Sequence, residues 1–394
     1  MFIKRVRNWY NLIFNSKISF KYPKKNKILV FDKEFSKIGC KILGLKKYET
    51  LHVRKEEICL PILIGLIFKF KLNSLNYYKK YIEITDPKIV LTFIDNNYVF
   101  YKLKKYFISK TFISIQNGHR MAFGDIFGFL KQYKIKDKLS ANMIFTFNKN
   151  IAKKYKRVIS SEYSFIGSIR NNHIKKKVFA KKKTRSVVYI STYRSVLSNI
   201  SKNFLSLEDN EERFGKKYKL KYRQGINFDI PTILKRYCFE NKEKLIILGS
   251  SKSLEEKNFY DKLLGPANYK FIYKKGVFSN YSEIDKSNLI VSTFSTLGYE
   301  AFARGKKICF FSPKISKFEK SYIFGWPYLK NSKGFFYSNE ISYTSVSKIL
   351  DNIKKMNRSM WLKKTSSIQK NIMLYNKNNS LIKNYIKNKL IKNN

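Results

Sequence analysis

The sequence predicts an α/β protein in which two successive arrays of strands and helices each form a parallel sheet. Short apolar runs of strand length alternate with longer stretches of helical spacing along the chain. The apolar runs are continuous, as is typical of strands that helices cover on both faces. The alternation stops once, at a polar stretch, and then restarts. With 394 residues, the chain is too long for one typical domain and suits two.

Four apolar runs in the first half of the chain predict the strands of the first array. They lie at residues 27–31, 88–94, 111–115 and 141–147. We therefore expect an N-terminal domain over residues 26–170, preceded by a basic and aromatic segment at residues 1–25. The most apolar run, at residues 58–68, is too short to cross a bilayer, and we expect a buried helix there.

The second array begins after a polar, lysine-rich stretch at residues 171–185, which is the best candidate for a linker. Five further apolar runs predict its strands, at residues 186–190, 244–248, 269–273, 288–291 and 307–311. They define an expected C-terminal domain over residues 186–345. The remaining residues, 346–394, have helical spacing and predict a helical tail.

The chain carries a formal net charge of +54, which by itself indicates a nucleic-acid-binding protein. The lysines, however, are spread along the whole chain among Asn, Ile, Phe and Tyr residues, all of which A/T-rich codons encode. Because a nucleic-acid site gathers its basic residues on one face, we expect no nucleic-acid partner. The charge still favours anionic partners such as nucleotide phosphates and acidic lipid headgroups.

The cysteines and the N-terminus bear on the location of the protein. The four cysteines form no Cys-x-x-Cys pair and no cluster with His, so we expect no disulfide, no metal and a cytoplasmic location. No signal peptide is evident. Residues 1–20 mix basic with aromatic side chains, which suits peripheral contact with the acidic inner face of the cytoplasmic membrane. The alternative is an N-terminal helix packed on the protein.

In open parallel sheets, ligands bind beyond the carboxyl ends of the strands, so the turns that follow strands are the candidate sites. The turn after residues 288–291 is rich in hydroxyl groups and leads into a helix. Its candidate phosphate-binding residues are Ser292, Thr293, Ser295 and Thr296. Ser295 or Thr296 is expected to cap the helix, whose free N–H groups and positive dipole favour a phosphate.

Three residues within this helix add to the pattern. Gly298 would let a ligand approach the backbone closely, Glu300 could accept hydrogen bonds from ribose hydroxyls, and Gly305 is expected to end the helix. An ordinary strand-to-helix unit, in which each of these residues is structural, explains the same pattern.

The turn after residues 111–115 is the second candidate site, with the polar residues Gln116, Asn117, Gly118, His119 and Arg120. The imidazole of His119 suits removal of a hydroxyl proton, and Arg120 could neutralise a phosphate or an acidic sugar. Asp95, directly after residues 88–94, could itself act as the base or could orient His119 through a hydrogen bond. The structural alternatives are a solvated histidine in a polar loop and an aspartate that caps a helix.

Other turns after strands could line phosphates, namely residues 167–170 with Gly167 and Ser168, residues 249–251 with Gly249 and Ser250, and residues 191–194. Such turns are common, so a structural role is the alternative for each. A P-loop, a GxGxxG motif and an Asp-x-Asp motif are absent from the sequence. Their absence argues against a P-loop kinase, a typical dehydrogenase and a metal-dependent sugar transferase.

Four of these pieces, taken in order, resemble GT-B glycosyltransferases, and more narrowly a bacterial family of surface-carbohydrate biosynthesis proteins associated with lipopolysaccharide or capsule assembly. The pieces are residues 94–96, 115–120, 165–168 and 295–301. The resemblance implies two Rossmann-like domains facing a central cleft, with C-terminal helices that cross back to the first domain. It also implies a nucleotide-sugar donor on the C-terminal domain and an acceptor on the N-terminal one.

The expected function is therefore transfer of a sugar from a nucleotide-activated donor to a surface glycan or lipid-linked acceptor, with no metal and no cofactor besides the nucleotide-sugar co-substrate. His119 or Asp95 would remove the acceptor proton, and the helix start with Gly249 and Ser250 would hold the donor. The residues expected to bind acceptor or phosphate follow two other strands. They are Gln116, Asn117, Gly118, Arg120, Gly167 and Ser168. A CDP-glycerol-type polyol phosphate transferase and a sugar-nucleotide epimerase are the enzyme alternatives. Two alternatives are not enzymes, namely a basic nucleic-acid-binding protein and a non-catalytic scaffold.

Overall fold

The computed structural model describes residues 16–54, 56–121, 126–127, 130, 138–176, 185–193, 221–312 and 323–391, with the backbone alone for residues 221–228. Two main sheets and the helices around them make up these parts of the chain. Each main sheet is built from one of the two predicted arrays, which confirms the predicted α/β fold class. The exact domain boundaries stay predictions.

The N-terminal half contains a six-stranded parallel sheet. The strands of this half are β1 (Lys17–Ser19), β2 (Ile28–Phe31), β3 (Glu49–Leu51), β4 (Glu57–Cys59), β5 (Ile89–Thr92), β6 (Thr111–Ile115), β7 (Leu139–Thr146) and β8 (Ile159–Phe165). The sheet order is β3-β2-β5-β6-β7-β8, and β1 pairs with β4 separately. The helices are α1 (Ser36–Leu43), α2 (Leu60–Phe68), α3 (Ser74–Thr85), α4 (Tyr98–Leu103), α5 (Lys149–Tyr155) and α6 (Ile169–His173), with a 3-10 helix at Lys104–Tyr106.

The second half contains a seven-stranded sheet. Its strands are β9 (Ser186–Ile190), β10 (Lys244–Leu248), β11 (Lys270–Ile272), β12 (Leu289–Ser292), β13 (Ile308–Phe311), β14 (Lys333–Gly334) and β15 (Tyr337–Ser338). The order is β11-β10-β9-β12-β13-β15-β14, and only the β14–β15 pair is antiparallel among these described strands. The helices are α7 (Lys221–Glu240), α8 (Leu254–Leu264), α9 (Ser279–Lys286), α10 (Thr296–Ala303), α11 (Tyr343–Lys355), α12 (Arg358–Ile372) and α13 (Ser380–Ile391), with 3-10 helices at Pro266–Asn268 and Lys377–Asn379.

The nine predicted strands are all present. Most of their apolar runs are buried on both faces of a sheet, and the exception is β11, an edge strand of the second sheet without a buried residue. Every residue of β2, β5 and β6 is buried, and so is every residue of β9, β12 and β13. The strands that the pattern did not predict lack such a run. For example, β3 and β8 lie at the edges of the first sheet, where one side of the strand has no partner.

The apolar run at residues 58–68 is a helix over most of its length, α2, but only one of its faces is buried. Ile62, Leu63 and Leu66 lie in the core, whereas Ile67 and Phe68 are exposed. The prediction of a helix is confirmed, and the prediction that the whole helix is buried is wrong. A helix as apolar as this one presents apolar side chains on both faces, while its neighbours, helix α3 and strand β4, cover only one.

The C-terminal helices return to the first sheet. Ile382 and Ile386 of α13 are buried in the same core cluster as strands β2, β5 and β6. Just before them, the Leu374 amide donates a hydrogen bond of 3.0 Å to the carbonyl of Phe147, directly after β7. The predicted crossing of the C-terminal helices back to the first domain is therefore confirmed.

Within the described parts of the chain, no helix combines the length and the apolar character needed to cross a membrane. Most of the predicted membrane-contacting segment, residues 1–20, lies outside the described residues. The same holds for most of the predicted linker at residues 171–185 and for Arg194 of the turn at residues 191–194.

Candidate functional site

Two turns from the two sheets meet at the carboxyl ends of their strands. One is the β6 turn (residues 116–120), and the other is the β12 turn (residues 293–296), which leads into α10. The amide of His119 donates a hydrogen bond of 3.2 Å to Thr296 Oγ1. A Cβ atom on Gly118 would lie 3.4 Å from the same oxygen, so the two turns are in van der Waals contact. The predicted facing of the two domains is thus seen at the residues that the sequence singled out.

The start of α10 has no side-chain cap. Ser295 occupies the N-cap position, but its side chain accepts no hydrogen bond from the helix, and Thr296 Oγ1 contacts His119 instead. The expected cap by Ser295 or Thr296 is therefore not formed. Because the first N–H groups of a helix have no acceptor within it, and the dipole adds partial positive charge there, this helix start can receive an anion.

Gly298 packs against the strand that precedes its helix. A Cβ atom at this position would lie 2.3 Å from Ser292 Oγ, which explains the glycine by close packing of α10 on β12. The Ser292 hydroxyl is itself buried without a hydrogen-bond partner among the described residues. Thr293 Oγ1 lies 3.2 Å from Thr192 Oγ1, across to the turn after β9. Gly305 has a φ of 79° directly after the helix, as expected of a terminating glycine.

Glu300 is buried between the two halves of the molecule. Its carboxylate accepts hydrogen bonds from the Ser168 hydroxyl and, at 2.6 Å, from the Tyr281 hydroxyl. Arg170 Nε lies 3.7 Å from Glu300 Oε1. The expected role of Glu300 in binding ribose stays a prediction.

Asp95 and Arg120 form a buried ion pair beneath the β6 turn. Arg120 Nε donates to Asp95 Oδ2 at 2.9 Å, and Arg120 Nη2 contacts the other carboxylate oxygen. The Tyr155 hydroxyl and the Asn117 amide also donate to this carboxylate. One expectation was that His119 donates a hydrogen bond to the Asp95 carboxylate. This bond is not formed, because Arg120 donates to both carboxylate oxygens instead.

The imidazole of His119 is stacked between the domains. Its ring is parallel to that of Tyr299, with centroids 4.8 Å apart, and Nδ1 lies 3.4 Å from Thr296 Oγ1. Nε2 is buried and has no hydrogen-bond partner among the described residues. Burial, and then the positive charge of Arg120, lower the pKa of this imidazole to about 3. His119 is therefore neutral at neutral pH, and so low a pKa makes its imidazole a weak base in this arrangement.

Gln116 and Asn117 hold the β6 turn in shape. The side-chain amide of Gln116 donates a hydrogen bond of 2.7 Å to the Gly118 carbonyl. It also accepts one of 2.7 Å from the backbone amide of Phe147. Arg120 Nη2 donates to Asn117 Oδ1 at 3.0 Å. Both side chains are engaged with protein, so their predicted binding of acceptor or phosphate stays a prediction.

The β10 turn (residues 249–251) already holds an anion from the protein. The buried carboxylate of Glu256 accepts from the Ser250 amide at 2.9 Å and from the Ser251 amide at 3.0 Å. It also accepts from the Ser251 hydroxyl at 2.9 Å. Phosphate binding by Gly249 and Ser250 stays a prediction, but the N–H groups that would bind a phosphate face Glu256 here.

Gly167 and Ser168 lie where the C-terminal tail crosses back. Gly167 has a φ of 72°, and a Cβ atom there would lie 1.9 Å from the Leu374 carbonyl oxygen. Ser168 is the N-cap of α6 and donates to Glu300. The structure thus gives both residues a role in joining the two halves, while their binding of phosphate stays a prediction.

Two residues near these turns, Tyr299 and Lys274, were missed by sequence reasoning, whereas Arg170 lies in the turn at residues 167–170 that the sequence singled out. Tyr299 lies one turn after Thr296 on the same helix face, a spacing that could have indicated it. Arg170 follows Ser168 by two residues and donates 3.1 Å to the Asn117 carbonyl. Lys274 follows β11 at the same edge of the sheet. It is half-buried, whereas the next residue, Lys275, is exposed, and nothing in the sequence distinguishes these two lysines.

Lys274 and Arg170 bring positive charge to this edge. Burial, and then the positive charge of Arg170, lower the pKa of Lys274, whereas the carboxylates of Glu256 and Glu300 act in the opposite direction. Among the described residues, no group of three or more His, Cys, Asp and Glu side chains is placed to hold a metal ion.

Comparison with known proteins identifies the family. A family model described as "putative O-antigen biosynthesis protein" matches residues 113–390, well over half of the chain. No curated protein sequence matches.

Similar solved structures share the fold across almost the whole chain. Staphylococcus aureus MnaA with UDP has a TM-score of 0.51 at 16% identity, covering 94% of this chain and 98% of that one. The UDP-GlcNAc 2-epimerase of Methanocaldococcus jannaschii, in complex with UDP-GlcNAc and UDP, has a TM-score of 0.50 at 12% identity, covering 92% and 99%. A variant of the wall teichoic acid polymerase TagF has a TM-score of 0.50 at 12% identity, covering 100% and 97%.

These likenesses confirm the fold expected from the resemblance, two Rossmann-like domains of GT-B type. The match of the family model over residues 113–390 confirms the expected link to surface-carbohydrate biosynthesis. The chain belongs to this family of O-antigen biosynthesis proteins.

Proposed function

We propose that this protein is a glycosyltransferase that moves a sugar from a nucleotide-activated donor to a surface-glycan acceptor during O-antigen assembly. The observation that carries the proposal is the uncapped start of α10, which lies against His119 of the other domain. A helix start without a cap, at the carboxyl edge of a parallel sheet, is a site for the phosphates of a nucleotide.

The donor diphosphate would bind at the start of α10, with Arg170 and Lys274 beside it. These cations would also stabilise the negative charge that develops on the departing nucleoside diphosphate. Two proteins of the same fold support a nucleotide ligand, since their structures contain UDP or UDP-GlcNAc. Which base and which sugar this chain takes is open to experiment.

The acceptor would bind on the side of the β6 turn. In the transfer, the acceptor oxygen bonds to the anomeric carbon of the sugar, and the bond from that carbon to the diphosphate oxygen breaks. The nucleoside diphosphate leaves with the electron pair, and the acceptor proton passes to a base. We assign the base to His119, whose Nε2 has no partner among the described residues. Because burial lowers the pKa of this imidazole to about 3, the role requires that the two turns separate when the substrates bind, so that Nε2 becomes accessible and its pKa rises.

Asp95 is the weaker candidate for the base. Its carboxylate accepts from Arg120, Tyr155 and the Asn117 amide, so it is already engaged by protein donors. We propose that it positions Arg120 and the β6 turn instead. If His119→Ala retained full transfer activity while Asp95→Asn lost it without unfolding, the two roles would have to be exchanged.

The acceptor of such an enzyme is a glycan or a lipid-linked glycan. A lipid-linked acceptor requires the protein to work at the inner face of the cytoplasmic membrane. We propose a peripheral attachment there, with no metal taking part, since helix dipole and basic side chains supply the charge that a metal would otherwise provide.

A thermal-shift screen against UDP-, GDP-, CMP-, CDP- and dTDP-sugars tests the donor assignment. We expect one nucleotide to raise the melting temperature, since a ligand at 100 times its Kd adds about 2.7 kcal/mol to the free energy of unfolding. Stabilisation by none of them would contradict the proposal. Product analysis with the stabilising donor then separates the chemistries. A released nucleoside diphosphate and a lengthened glycan support transfer of a sugar, whereas an epimerised donor or a transferred polyol phosphate would replace it.

A further inference from the structure

The far end of helix α2 presents a group of large apolar side chains to solvent. The group, named here the α2 patch, consists of Ile64, Ile67, Phe68 and Phe70, with exposed fractions of 42%, 48%, 78% and 99%. Single exposed apolar residues are ordinary, but a cluster of them marks an interaction surface. We infer that the α2 patch docks on the surface of an anionic lipid bilayer.

The helix geometry places these residues together. Ile64, Ile67 and Phe68 are spaced by three and four residues, so they share one face of α2. The opposite face, which includes Ile62 and Leu66, is buried in the core cluster that also contains residues of the first sheet. The patch is therefore held outward by a helix that cannot rotate without exposing its core face.

Phe70 is fixed in the exposed position by its backbone. It follows the helix with a φ of 52°, a left-handed conformation that is uncommon for a bulky residue. The Phe70 amide donates 2.9 Å to the Ile67 carbonyl, and the Lys71 amide donates 3.0 Å to the Leu66 carbonyl. These bonds close the end of the helix, and the Phe70 side chain that they leave there is exposed.

The charges around the patch select the partner. Lys69 and Lys71 are exposed beside Phe70, and no Asp or Glu occurs between Glu57 and Glu83. An apolar face bordered by cations is the pattern of a surface that enters the interface of an anionic bilayer. A second copy of this chain is a poorer partner, because two molecules of net charge +54 repel each other.

This docking surface is independent of the chemistry proposed above, since it is measured by lipid binding and not by transfer. It uses residues other than the N-terminal segment that the sequence indicated for membrane contact. If both surfaces bind lipid, the first domain, on which the acceptor is proposed to bind, faces the bilayer.

Vesicle sedimentation of the full chain tests the inference. The variant carries Phe68→Ser with Phe70→Ser, and the matched control carries Phe239→Ser, a residue of the second domain that is 83% exposed. Vesicles contain phosphatidylcholine alone or with about one third phosphatidylglycerol, at near-physiological salt to limit general attraction by the net charge. We expect the affinity of the double variant for the anionic vesicles to fall by about tenfold or more. The control should bind them as the wild type does. Equal binding by the double variant and the control would overturn the inference.

A fluorescent probe distinguishes insertion from adsorption. The native cysteines Cys40, Cys59, Cys238 and Cys309 are all buried, so Phe68→Cys and Phe239→Cys can be labelled selectively with an environment-sensitive dye. We expect the emission of the dye at position 68, but not at position 239, to shift to the blue when anionic vesicles are added. A dye at position 68 that stays in water on vesicle-bound protein would overturn the inference. A dimer in solution that Phe68→Ser with Phe70→Ser dissociates, without vesicle binding by the wild type, would do the same.

Discussion

The β10 turn and the β12 turn follow the two strands that lie on either side of β9. Both turns are rich in hydroxyl side chains. They differ in what occupies their amide groups. In the β10 turn, the amides of Ser250 and Ser251 donate to the buried carboxylate of Glu256. In the β12 turn, no side chain caps the start of α10, and Thr296 reaches across to His119.

The difference shows that a turn suited to phosphate can be filled by the protein itself. Glu256 is the third residue after Ser253, the N-cap of α8, in the order expected of a capping box. Its carboxylate reaches back past the N-cap to the preceding turn, where it supplies the negative charge that a phosphate would bring. Of the two turns, we therefore assign donor binding to the β12 turn.

The largest effect is expected from removal of the carboxylate in the β10 turn. Glu256→Ala leaves two amides and the Ser251 hydroxyl without their acceptor, and should lower the free energy of unfolding by about 3 kcal/mol. Glu255→Ala, at the exposed neighbouring position, is the matched control and should have little effect. Urea denaturation measures both. A loss of nucleotide affinity in Glu256→Ala at a temperature where it stays folded would contradict the purely structural role of this turn.

A methyl group at Gly298 should have the next largest effect. Its Cβ atom would lie 2.3 Å from Ser292 Oγ, and this overpacking should cost about 2 kcal/mol, more than the roughly 1 kcal/mol that alanine gains over glycine within a helix. Because α10 must move away from β12, nucleotide affinity should also fall, by about tenfold. Gly276→Ala is the control, since its Cβ atom would meet open space. Unchanged affinity in Gly298→Ala would show that the position of α10 does not matter to the ligand.

The two neighbouring lysines after β11 offer a sharper comparison at the ligand. Lys274→Gln should weaken nucleotide binding by about tenfold, or about 1.4 kcal/mol, because it removes one of the two cations beside the diphosphate. Lys275→Gln, the same substitution at an exposed position, should leave affinity within twofold or so. Isothermal titration with the stabilising nucleotide decides between them, and equal losses in both variants would indicate general attraction by the net charge instead of a site.

The smallest effect concerns pH and the histidine opposite the β12 turn. An unfolded imidazole gains a proton as the pH falls through about 6.5, whereas that of His119 has a pKa of about 3 in the folded protein. Between these values the unfolded state binds more protons, so the free energy of unfolding decreases as the pH decreases. His119→Gln should reduce this loss between about pH 7 and about pH 5.5 by about 1 kcal/mol. His173→Gln, at an exposed imidazole, should reduce it less, and a larger change in that control would show that His119 is not buried in solution.

The sequence predicted the fold far better than the site. The central strands were found because continuous apolar runs are buried on both faces, and the GT-B arrangement followed from the order of four motifs. The β6 and β12 turns were also singled out, because any turn at the carboxyl edge of a parallel sheet is a candidate.

The partners of the site residues were beyond the sequence because they come from distant parts of the chain. Arg120 pairs with Asp95 and leaves His119 to stack on Tyr299, which requires the two domains to be docked. Likewise Glu300 meets Ser168 and Tyr281 only in the folded protein. Spacing along the chain indicates which side chains share a helix or strand. It does not indicate which of several donors forms a hydrogen bond with a given carboxylate in the folded protein.

Amide hydrogen exchange with and without the stabilising nucleotide tests donor binding at the start of α10 most directly. Exchange would be followed by mass spectrometry in peptides that cover residues 293–300 and residues 249–256. We expect the nucleotide to slow exchange in the first peptide, where amides would donate to the diphosphate, and to leave the second unchanged. Slower exchange at residues 249–256 with no change at residues 293–300 would contradict this assignment and place the phosphate at the β10 turn.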